Sequence, residues 1–153
     1  MNVALIIPAL NEEAVIARVI AEVPREHVDR IIVVDNGSTD ATGEQATAAG
    51  ATVVREERRG YGYACAAGVA AAGDGVDVLA FMDGDGSDDP SQLPDLLAPL
   101  AAGQADLVLG SRVLGPAQRG ALLPHQRLGN SLTAGLIRVL YRRTVSDLPP
   151  FKA

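Results

Sequence analysis

The sequence predicts an α/β fold built from a mostly parallel sheet with helices on both faces. Short apolar runs of strand length alternate with stretches that repeat apolar residues at helical spacing. Clusters of Gly, Asn, Asp and Ser follow several of these runs, as is typical of loops at strand ends. Strands that alternate with helices in this way favour parallel pairing.

Five strands are predicted from the apolar runs. In chain order they span Asn2–Pro8, Arg30–Asp35, Ala51–Arg55, Asp77–Met82 and Asp106–Gly110. The first run is almost entirely apolar, which favours a buried strand. Ligands of such sheets bind beyond the carboxyl ends of the strands, so the residues that follow each run are candidate site residues.

Helices are expected between the strands. The first runs from Glu12 to Val23 behind a cap at Asn11, with apolar residues at i, i+3, i+4 and i+7. The remaining predictions are a short helix to Ala49 capped by Asp40 or Thr42, a helix from about Tyr63 to Ala72, a leucine-rich helix capped by Ser91, and a helix from about Leu128 to Tyr141.

The composition is that of one domain with a hydrophobic core. The chain has 153 residues, of which 48% are hydrophobic and 21% charged. A single cysteine excludes an internal disulfide. No signal-peptide pattern opens the sequence, and no apolar run reaches the length of a membrane span. We expect a cytoplasmic protein, with contact at the inner face of the membrane left open, and no nucleic-acid partner.

Charge is distributed unevenly along the chain. Residues 1–110 carry 18 acidic and 6 basic side chains, a net charge of −12, whereas residues 111–153 carry 7 basic and 1 acidic, a net charge of +6. The acidic part suits a metal ion and the basic part suits phosphate groups. The alternative for the basic part is an exposed helix face coated with arginine.

Two carboxylates, Asp83 and Asp85, follow the fourth apolar run and are one residue apart. A strand that continued through them would point both side chains to one face. Clustered carboxylates repel one another unless a cation lies between them, and a hard divalent cation prefers oxygen ligands. The alternative is a solvated acidic turn, which Gly84, Gly86 and Pro90 would also favour.

Other kinds of site fit the sequence poorly. An EF-hand loop that opened at Asp83 would need Gly and Glu where Asp88 and Pro94 stand. A zinc site is not expected, because the only nitrogen or sulfur candidates, His27, His125 and Cys65, are scattered. The glycine pattern of dinucleotide-binding folds does not follow the first strand.

Five motifs in order resemble family-two glycosyltransferases. They are Ile7-Pro-Ala-Leu-Asn-Glu-Glu13, Val33-Val-Asp-Asn-Gly-Ser-Thr-Asp40, Gly60-Tyr-Gly62, Met82-Asp-Gly-Asp85 and Gly110-Ser-Arg112. Within that family, the dolichyl- or polyprenyl-phosphate hexosyltransferase branch is the most similar. The resemblance implies a Rossmann-like GT-A fold over residues 1–153, with a nucleotide-sugar-binding half at 1–110 and the start of an acceptor-side half at 111–153. It also implies that the C-terminal part of the family domain is missing.

The same resemblance implies how the nucleotide is bound. The residues that would line the nucleoside site are Pro8, Ala9, Asn11 and Glu13, and those that would contact the base or close over the nucleotide are Asp35, Gly60 and Gly62. Glu13 would bind the ribose, and Asp35 would accept a hydrogen bond from the base. The residues also allow simpler roles, with Asn11 as a helix cap, Glu13 in a first helical turn and Asp35 as a turn former.

Metal and phosphate ligands follow from the resemblance too. Asp83 and Asp85 would hold Mg²⁺ or Mn²⁺ against the diphosphate, with Asp85 as the direct ligand. Ser87 stands where polyprenyl-phosphate enzymes often place a glutamine ligand, and its hydroxyl could bind directly or through water. Arg112 and Arg127 would hold phosphate oxygens, since an arginine fork matches them.

The implied reaction is inverting transfer of a hexose from a UDP- or GDP-linked donor to an acceptor such as a polyprenyl phosphate or another anion. Because relatives carry a further acceptor-side segment, we expect little transfer by this chain alone, and self-association as a further possibility. The alternative function is donor binding without catalysis, as a binding fragment or one half of a split enzyme.

Overall fold

The computed structural model describes residues 1–110 of the chain. A first compact unit spans Met1–Ala105, and only residues 106–110 of the second unit, Asp106–Lys152, lie within the described part. The predicted helix from Leu128 to Tyr141 lies outside it. The prediction of one domain over residues 1–153 stays a prediction.

The first unit contains a four-stranded parallel sheet. Its strands are β1 (Val3–Ala9), β2 (Arg30–Asp35), β3 (Thr52–Arg55) and β4 (Val78–Phe81), in the order β3-β2-β1-β4. Its helices are α1 (Ile16–Ala21), α2 (Thr42–Ala48), α3 (Tyr61–Ala72) and α4 (Leu93–Ala101), with short 3₁₀ helices at Arg25–His27 and Pro90–Gln92. The predicted α/β class with a parallel sheet is confirmed.

Hydrophobic clusters cover both faces of the sheet. One face of β1 packs with apolar residues of α1, α2 and α4, and the other packs with small residues of α3 and with β2. Residues 4–7 of β1 are fully buried, which fits the apolar character of this run. Helices therefore lie on both faces, as predicted.

Helix α3 approaches the sheet closely because of Gly68. A Cβ atom at this position would lie 2.4 Å from Cγ2 of Ile6 and 3.1 Å from Cγ2 of Val34. Ala64 and Ala72 of the same helix are also buried. Small residues on this face let the helix backbone rest directly on β1 and β2.

The start of the first helix differs from the prediction. Helix α1 begins at Ile16 rather than Glu12, and Asn11 is not its cap: Asn11 has a left-handed φ of 58°, and Val15 occupies the cap position. The reason is that the backbone N–H groups of residues 11–13 donate to side chains of residues 38–42 instead of being satisfied at a helix start. A tertiary interaction therefore replaces the predicted cap.

Three other helix starts also differ. Ala41, rather than Asp40 or Thr42, occupies the cap position of α2, although Asp40 Oδ1 accepts the Thr42 N–H at 3.0 Å. Asp89, rather than Ser91, caps the 3₁₀ turn that precedes α4. Its Oδ1 accepts from both the Ser91 N–H and the Ser91 hydroxyl, so Ser91 serves as a donor. Helix α3 starts two residues earlier than predicted, at Tyr61.

The predicted fifth strand is wrong. Asp106–Gly110 form no strand, and Leu107 is 74% exposed. A strand is stable only when its backbone pairs with a neighbour, and the sheet of the described residues contains four strands. Within residues 1–110, no helix is long and apolar enough to cross a bilayer.

We predict that Gly68→Ala destabilises the protein. The added methyl group would overlap Ile6, and such overpacking costs about 1–3 kcal/mol, more than the roughly 1 kcal/mol that alanine gains over glycine in a helix. Gly62→Ala in the same helix is the matched control, because a Cβ there meets nothing within 4 Å. Urea unfolding measures both, and equal stability of the two variants would contradict the close packing of α3.

Candidate functional site

The candidate site lies at the carboxyl ends of β1 and β4, where the order of the strands reverses. From β1 the chain builds β2 and β3 on one side and then crosses back to form β4 on the other. In open parallel sheets a crevice forms at such a reversal, and ligands bind there. The motifs that follow β1 and β4 therefore meet at one place.

Pro8 marks the edge of this crevice. β4 pairs with β1 only as far as Phe81 opposite Ile6, and the last bond in this direction runs from the Met82 N–H to the Ile6 carbonyl at 3.1 Å. Alternate residues of β1 direct their backbone groups to the same neighbour, so Pro8 points where the ladder with β4 has already ended. A proline is tolerated there because no partner strand needs its missing N–H.

The Asp83-Gly84-Asp85 turn fills the space beside the end of β1. Gly84 is buried, and a Cβ on it would lie 3.1 Å from the Pro8 carbonyl oxygen and 3.3 Å from Ala9 Cβ. β4 ends at Phe81, so the two half-buried aspartates do not lie in a strand. The alternation of side chains that would place both on one face of a strand does not apply to them. The two aspartates stand on either side of Gly84 in a turn, and it is Gly84 that packs against Pro8 and Ala9.

Two side-chain bonds shape this turn. The Asp83 N–H donates to Asp88 Oδ2, and the Ser87 N–H donates to Asp85 Oδ1, each at 3.0 Å. Gly86 between them has a φ of 75°, which favours glycine. The Ser87 side chain is exposed. Sequence reasoning did not identify Asp88, although an acid shortly after two others is a usual turn former.

The donor set suits a hard divalent cation. Carboxylate oxygens, a serine hydroxyl and water are ligands that Mg²⁺ and Mn²⁺ accept. Among residues 1–110, no three His, Cys, Asp or Glu side chains converge in a way that could hold a metal. A cation at Asp83 and Asp85 would therefore need oxygen ligands from a bound molecule or water, as Mg²⁺ usually has beside phosphates.

The first turn of α3 lies within the electrostatic reach of Asp83. Burial raises the pKa of Tyr61 to about 12, and the nearby Cys65 and Asp83 reinforce the shift. Burial likewise raises the pKa of the Cys65 thiol, and the negative charge of Asp83 raises it further. The charge of Asp83 therefore acts on two side chains at the start of α3.

The loop after β1 is fastened to the loop after β2 by Asn11 and Glu13. Asn11 Oδ1 accepts from the Thr39 N–H at 2.8 Å, and Glu13 Oε2 accepts from the Ala41 N–H at 2.9 Å. Both side chains thus already hold the neighbouring loop. Their predicted contact with a nucleoside stays a prediction.

Thr42, which the sequence suggested only as a possible helix cap, lies at the centre of this connection. Its fully buried hydroxyl accepts from the Glu12 N–H at 2.8 Å and donates to Asp40 Oδ1. That hydroxyl is the main cause that lowers the pKa of Asp40 below its ordinary value. A threonine at the start of a helix gives no sign, in the sequence, of a partner 30 residues away.

Asp35 has the turn role that its sequence context also allowed. The residue is 7% exposed, and its Oδ1 accepts the Ser38 N–H at 2.8 Å. A Cβ on Gly43 of α2 would lie 3.5 Å from Oδ2. The predicted hydrogen bond to a base is not tested by this arrangement.

The loop from β3 to α3 ends at Gly60, whose φ of 134° favours glycine. Nothing lies within 4 Å of the Cβ position of Gly62, so this residue borders open space. Arg58 forms a bidentate pair with Glu56, which lowers the pKa of Glu56 to about 2. The Arg58 guanidinium also lies 4.7 Å from the centre of the Tyr63 ring.

The predicted phosphate ligands Arg112 and Arg127 lie outside the described residues.

An open groove of about 340 Å³ lies at the opposite edge of the sheet, lined by Met1, Val3, His27 and Leu97 among others. The groove adjoins helix α4 and the amino end of β1, and none of the predicted site residues lines it. The shape of the surface and the positions of the predicted site residues therefore indicate different places for the site. The strand-order reversal favours the carboxyl edge.

Comparison with known proteins agrees with the motifs. Among curated proteins, an uncharacterized glycosyltransferase of Mycobacterium tuberculosis is 40% identical over 151 residues, which cover 98% of this chain and 66% of the relative. The low-salt glycan biosynthesis hexosyltransferase Agl6 of Haloferax volcanii is 36% identical over 151 residues, covering 95% of this chain and 36% of that protein.

Among solved structures, glucosyl-3-phosphoglycerate synthase from Mycobacterium tuberculosis, in complex with Mn²⁺, UDP-glucose and phosphoglyceric acid, matches with a TM-score of 0.60 and 37% identity. The match covers 67% of this chain and 40% of the synthase. The chain thus spans about two thirds or less of the length of these relatives.

Residues 4–151 match the family described as Glycosyl transferase family 2, which covers nearly the whole chain. The motifs after β1, β2 and β4 stand at the carboxyl edge of the sheet, where this family resemblance requires them. The resemblance predicted from the sequence is confirmed, and the chain belongs to glycosyl transferase family 2.

Proposed function

We propose that the protein transfers a hexose from a nucleotide-diphosphate sugar to an acceptor, with a divalent cation at the Asp83 turn. The observation that carries the proposal is the packing of Gly84 against Pro8 and Ala9, with its Cβ position 3.1 Å from the Pro8 carbonyl. This contact joins the candidate metal ligands to the candidate nucleoside residues. A nucleotide diphosphate would fit this arrangement, with its nucleoside at the residues after β1 and its phosphates at the Asp83 turn.

The nucleoside would bind beyond the ends of β1 and β2. Asn11 and Glu13 stand on one loop and Ser38 to Asp40 on the next, and the bonds between these loops shape the edge before a ligand arrives. The buried Asp35 accepts the Ser38 N–H of the second loop. We propose a UDP-linked donor rather than a GDP-linked one, because the glucosyl-3-phosphoglycerate synthase structures hold UDP or UDP-glucose.

A cation is needed on electrostatic grounds. Residues 1–110 carry a net charge of −12, and the turn that faces the proposed diphosphate contains Asp83, Asp85 and Asp88. Like charges at such short range repel one another strongly. Asp83 and Asp85, with Ser87 as a further candidate, would hold Mg²⁺ or Mn²⁺, and the solved synthase structures contain Mn²⁺ or Mg²⁺.

The proposed step is an in-line substitution at the anomeric carbon. An acceptor oxygen forms a bond to that carbon while the bond to the diphosphate oxygen breaks, and the diphosphate leaves with the electron pair. The configuration is inverted. When bound, the cation stabilises the charge on the leaving group. Arg112 and Arg127 are proposed as further phosphate ligands.

The proposed acceptor is an anion, either a polyprenyl phosphate or a small phosphorylated acid. The basic excess of residues 111–153 supports this, as does the phosphoglyceric acid in a related solved structure. A phosphate acceptor is already ionised and depends less on a general base. We propose residues 1–110 as the donor-binding half and 111–153 as the start of the acceptor side.

Donor binding and sugar transfer need separate tests, because the chain spans 66% of its mycobacterial relative. The test of transfer measures UDP release from UDP-glucose with polyprenyl phosphate or phosphoglyceric acid as acceptor. Release that depends on an acceptor supports the transferase proposal. Donor binding without release would favour a non-catalytic nucleotide-sugar-binding role.

We predict that UDP binds at least about tenfold more tightly with Mn²⁺ or Mg²⁺ than with excess chelator, because the metal offsets the acidic turn. Asp85→Ala should abolish this difference, which corresponds to about 1.4 kcal/mol or more. Asp95→Ala is the control, since it removes an exposed acid from the first turn of α4. Calorimetry that finds equal affinity with and without metal would rule out the proposed metal site.

We further predict that Asp35→Ala weakens UDP binding by about 1–3 kcal/mol but leaves pyrophosphate binding nearly unchanged, both measured with Mn²⁺. Asp35→Asn keeps an acceptor for the Ser38 N–H and should still weaken UDP binding, because its amide would have to replace the carboxylate as partner of the base. Equal losses for UDP and pyrophosphate, or no loss in Asp35→Asn, would restrict Asp35 to the turn.

A further inference from the structure

Asn36 holds the loop that connects β3 to α3. Its side-chain amide is almost fully buried, with the residue 6% exposed. Nδ2 donates to the carbonyl oxygens of Glu56 at 3.0 Å and Arg58 at 2.8 Å, while Oδ1 accepts the Gly60 N–H at 2.8 Å. One side chain therefore fixes three backbone groups of a five-residue segment.

The backbone of Asn36 also connects this loop to the centre of the sheet. Its N–H donates to the Ala9 carbonyl at 2.9 Å, and the Glu56 N–H donates to the neighbouring Asp35 carbonyl at 3.0 Å. The ends of β1, β2 and β3 are thus linked through one residue. A change at Asn36 would act on the loop and not only on its own position.

The pattern of bonds requires an amide. A primary amide offers two donors on nitrogen and acceptor capacity on oxygen, whereas a carboxylate accepts only and an alanine does neither. Aspartate in this position could still accept from Gly60 but would face two carbonyl oxygens. The same two carbonyls would lose their partners in an alanine variant, at a buried site where unpaired polar groups are costly.

The loop held by Asn36 borders the nucleoside side of the site. Arg59 Nε lies 3.8 Å from the Cβ position of Gly37, so a side chain of this loop reaches the turn that follows β2. Arg58 is paired with Glu56 and lies against Tyr63, which fastens the loop at its other end. Gly60, with its φ of 134°, then leads into α3.

We propose that Asn36 is a positioning residue for the donor: it holds the segment 56–60 in the conformation that closes over the nucleotide. This inference rests on the proposed function. Asn36 acts through the backbone that it holds, and its amide groups are already used by that backbone. Loss of the Asn36 side chain should therefore weaken the binding of the nucleoside end of the donor more than the binding of the diphosphate at the Asp83 turn.

The first test compares UDP and inorganic pyrophosphate, each with Mn²⁺, by calorimetry. Asn36→Asp and Asn36→Ala should weaken UDP binding at least about tenfold and pyrophosphate binding by less than about threefold. Asn2→Ala is the matched control, since it removes an amide bond of 2.8 Å to the Gly75 carbonyl at the opposite edge of the sheet. It should leave both affinities unchanged.

A second variant disturbs the same loop without removing a buried group. Gly60→Ala places a Cβ where the backbone φ of 134° disfavours one, at an exposed position. It should reproduce the selective loss of UDP binding. Equal losses for UDP and pyrophosphate in the Asn36 and Gly60 variants would indicate a merely structural role and overturn the proposal.

Trypsin provides a measurement that does not depend on a ligand. Cleavage after Arg58 and Arg59 should be at least about fivefold faster in Asn36→Asp than in the wild type or Asn2→Ala, under conditions where all three are folded. Unchanged cleavage would show that Asn36 does not hold the loop.

The outcomes separate the two proposals. If the wild-type protein binds no UDP with Mn²⁺, the proposed function fails and the donor role of Asn36 fails with it. If the wild type binds UDP and the Asn36 variants bind it equally well, the role of Asn36 alone is overturned.

Discussion

The reversal of strand order at β1 is the constraint on which the rest of the described structure depends. β2 and β3 lie on one side of β1 and β4 on the other, so the segment between β3 and β4 must cross the sheet. Helix α3 makes this crossing in direct contact with β1 and β2, which the missing side chain of Gly68 permits. The residues that end β1 and β4 become neighbours as a result, and a crevice opens beyond them.

Side-chain bonds to backbone groups stabilise the carboxyl edge of the sheet. Thr42 accepts from Glu12, Asn36 holds Gly60, and Asp88 holds the backbone of Asp83. These bonds connect the loop after β1 to that after β2, and the loop after β2 to that after β3, while the turn after β4 is closed by its own acid. Loops fixed in this way lose less conformational entropy when a ligand binds, which is the usual benefit of a preformed site.

The sequence predicted the class of fold, all four strands of the described sheet and the family, because these depend on local signals. Apolar runs mark strands wherever they occur, and the family motifs are short and contiguous. It was wrong about Asn11 as a helix cap, about Ser91, and about a strand at Asp106–Gly110. Two of these errors concern partners that only the fold brings together, since Asn11 bonds to Thr39 and a strand needs a neighbour. The third is local, because Asp89, two residues before Ser91, takes the cap and Ser91 donates to it.

The sequence by itself determined that acidic, glycine-rich turns follow apolar strands, and therefore where a nucleotide-sugar site would be sought. Only the tertiary structure decided which polar residues hold the loops. Asn36 and Gly60 are 24 positions apart, and Glu12 and Thr42 are 30 positions apart. Hydrogen bonds act over about 3 Å in space, so a pairing between residues so distant in sequence exists only after the parallel strands have aligned their carboxyl ends.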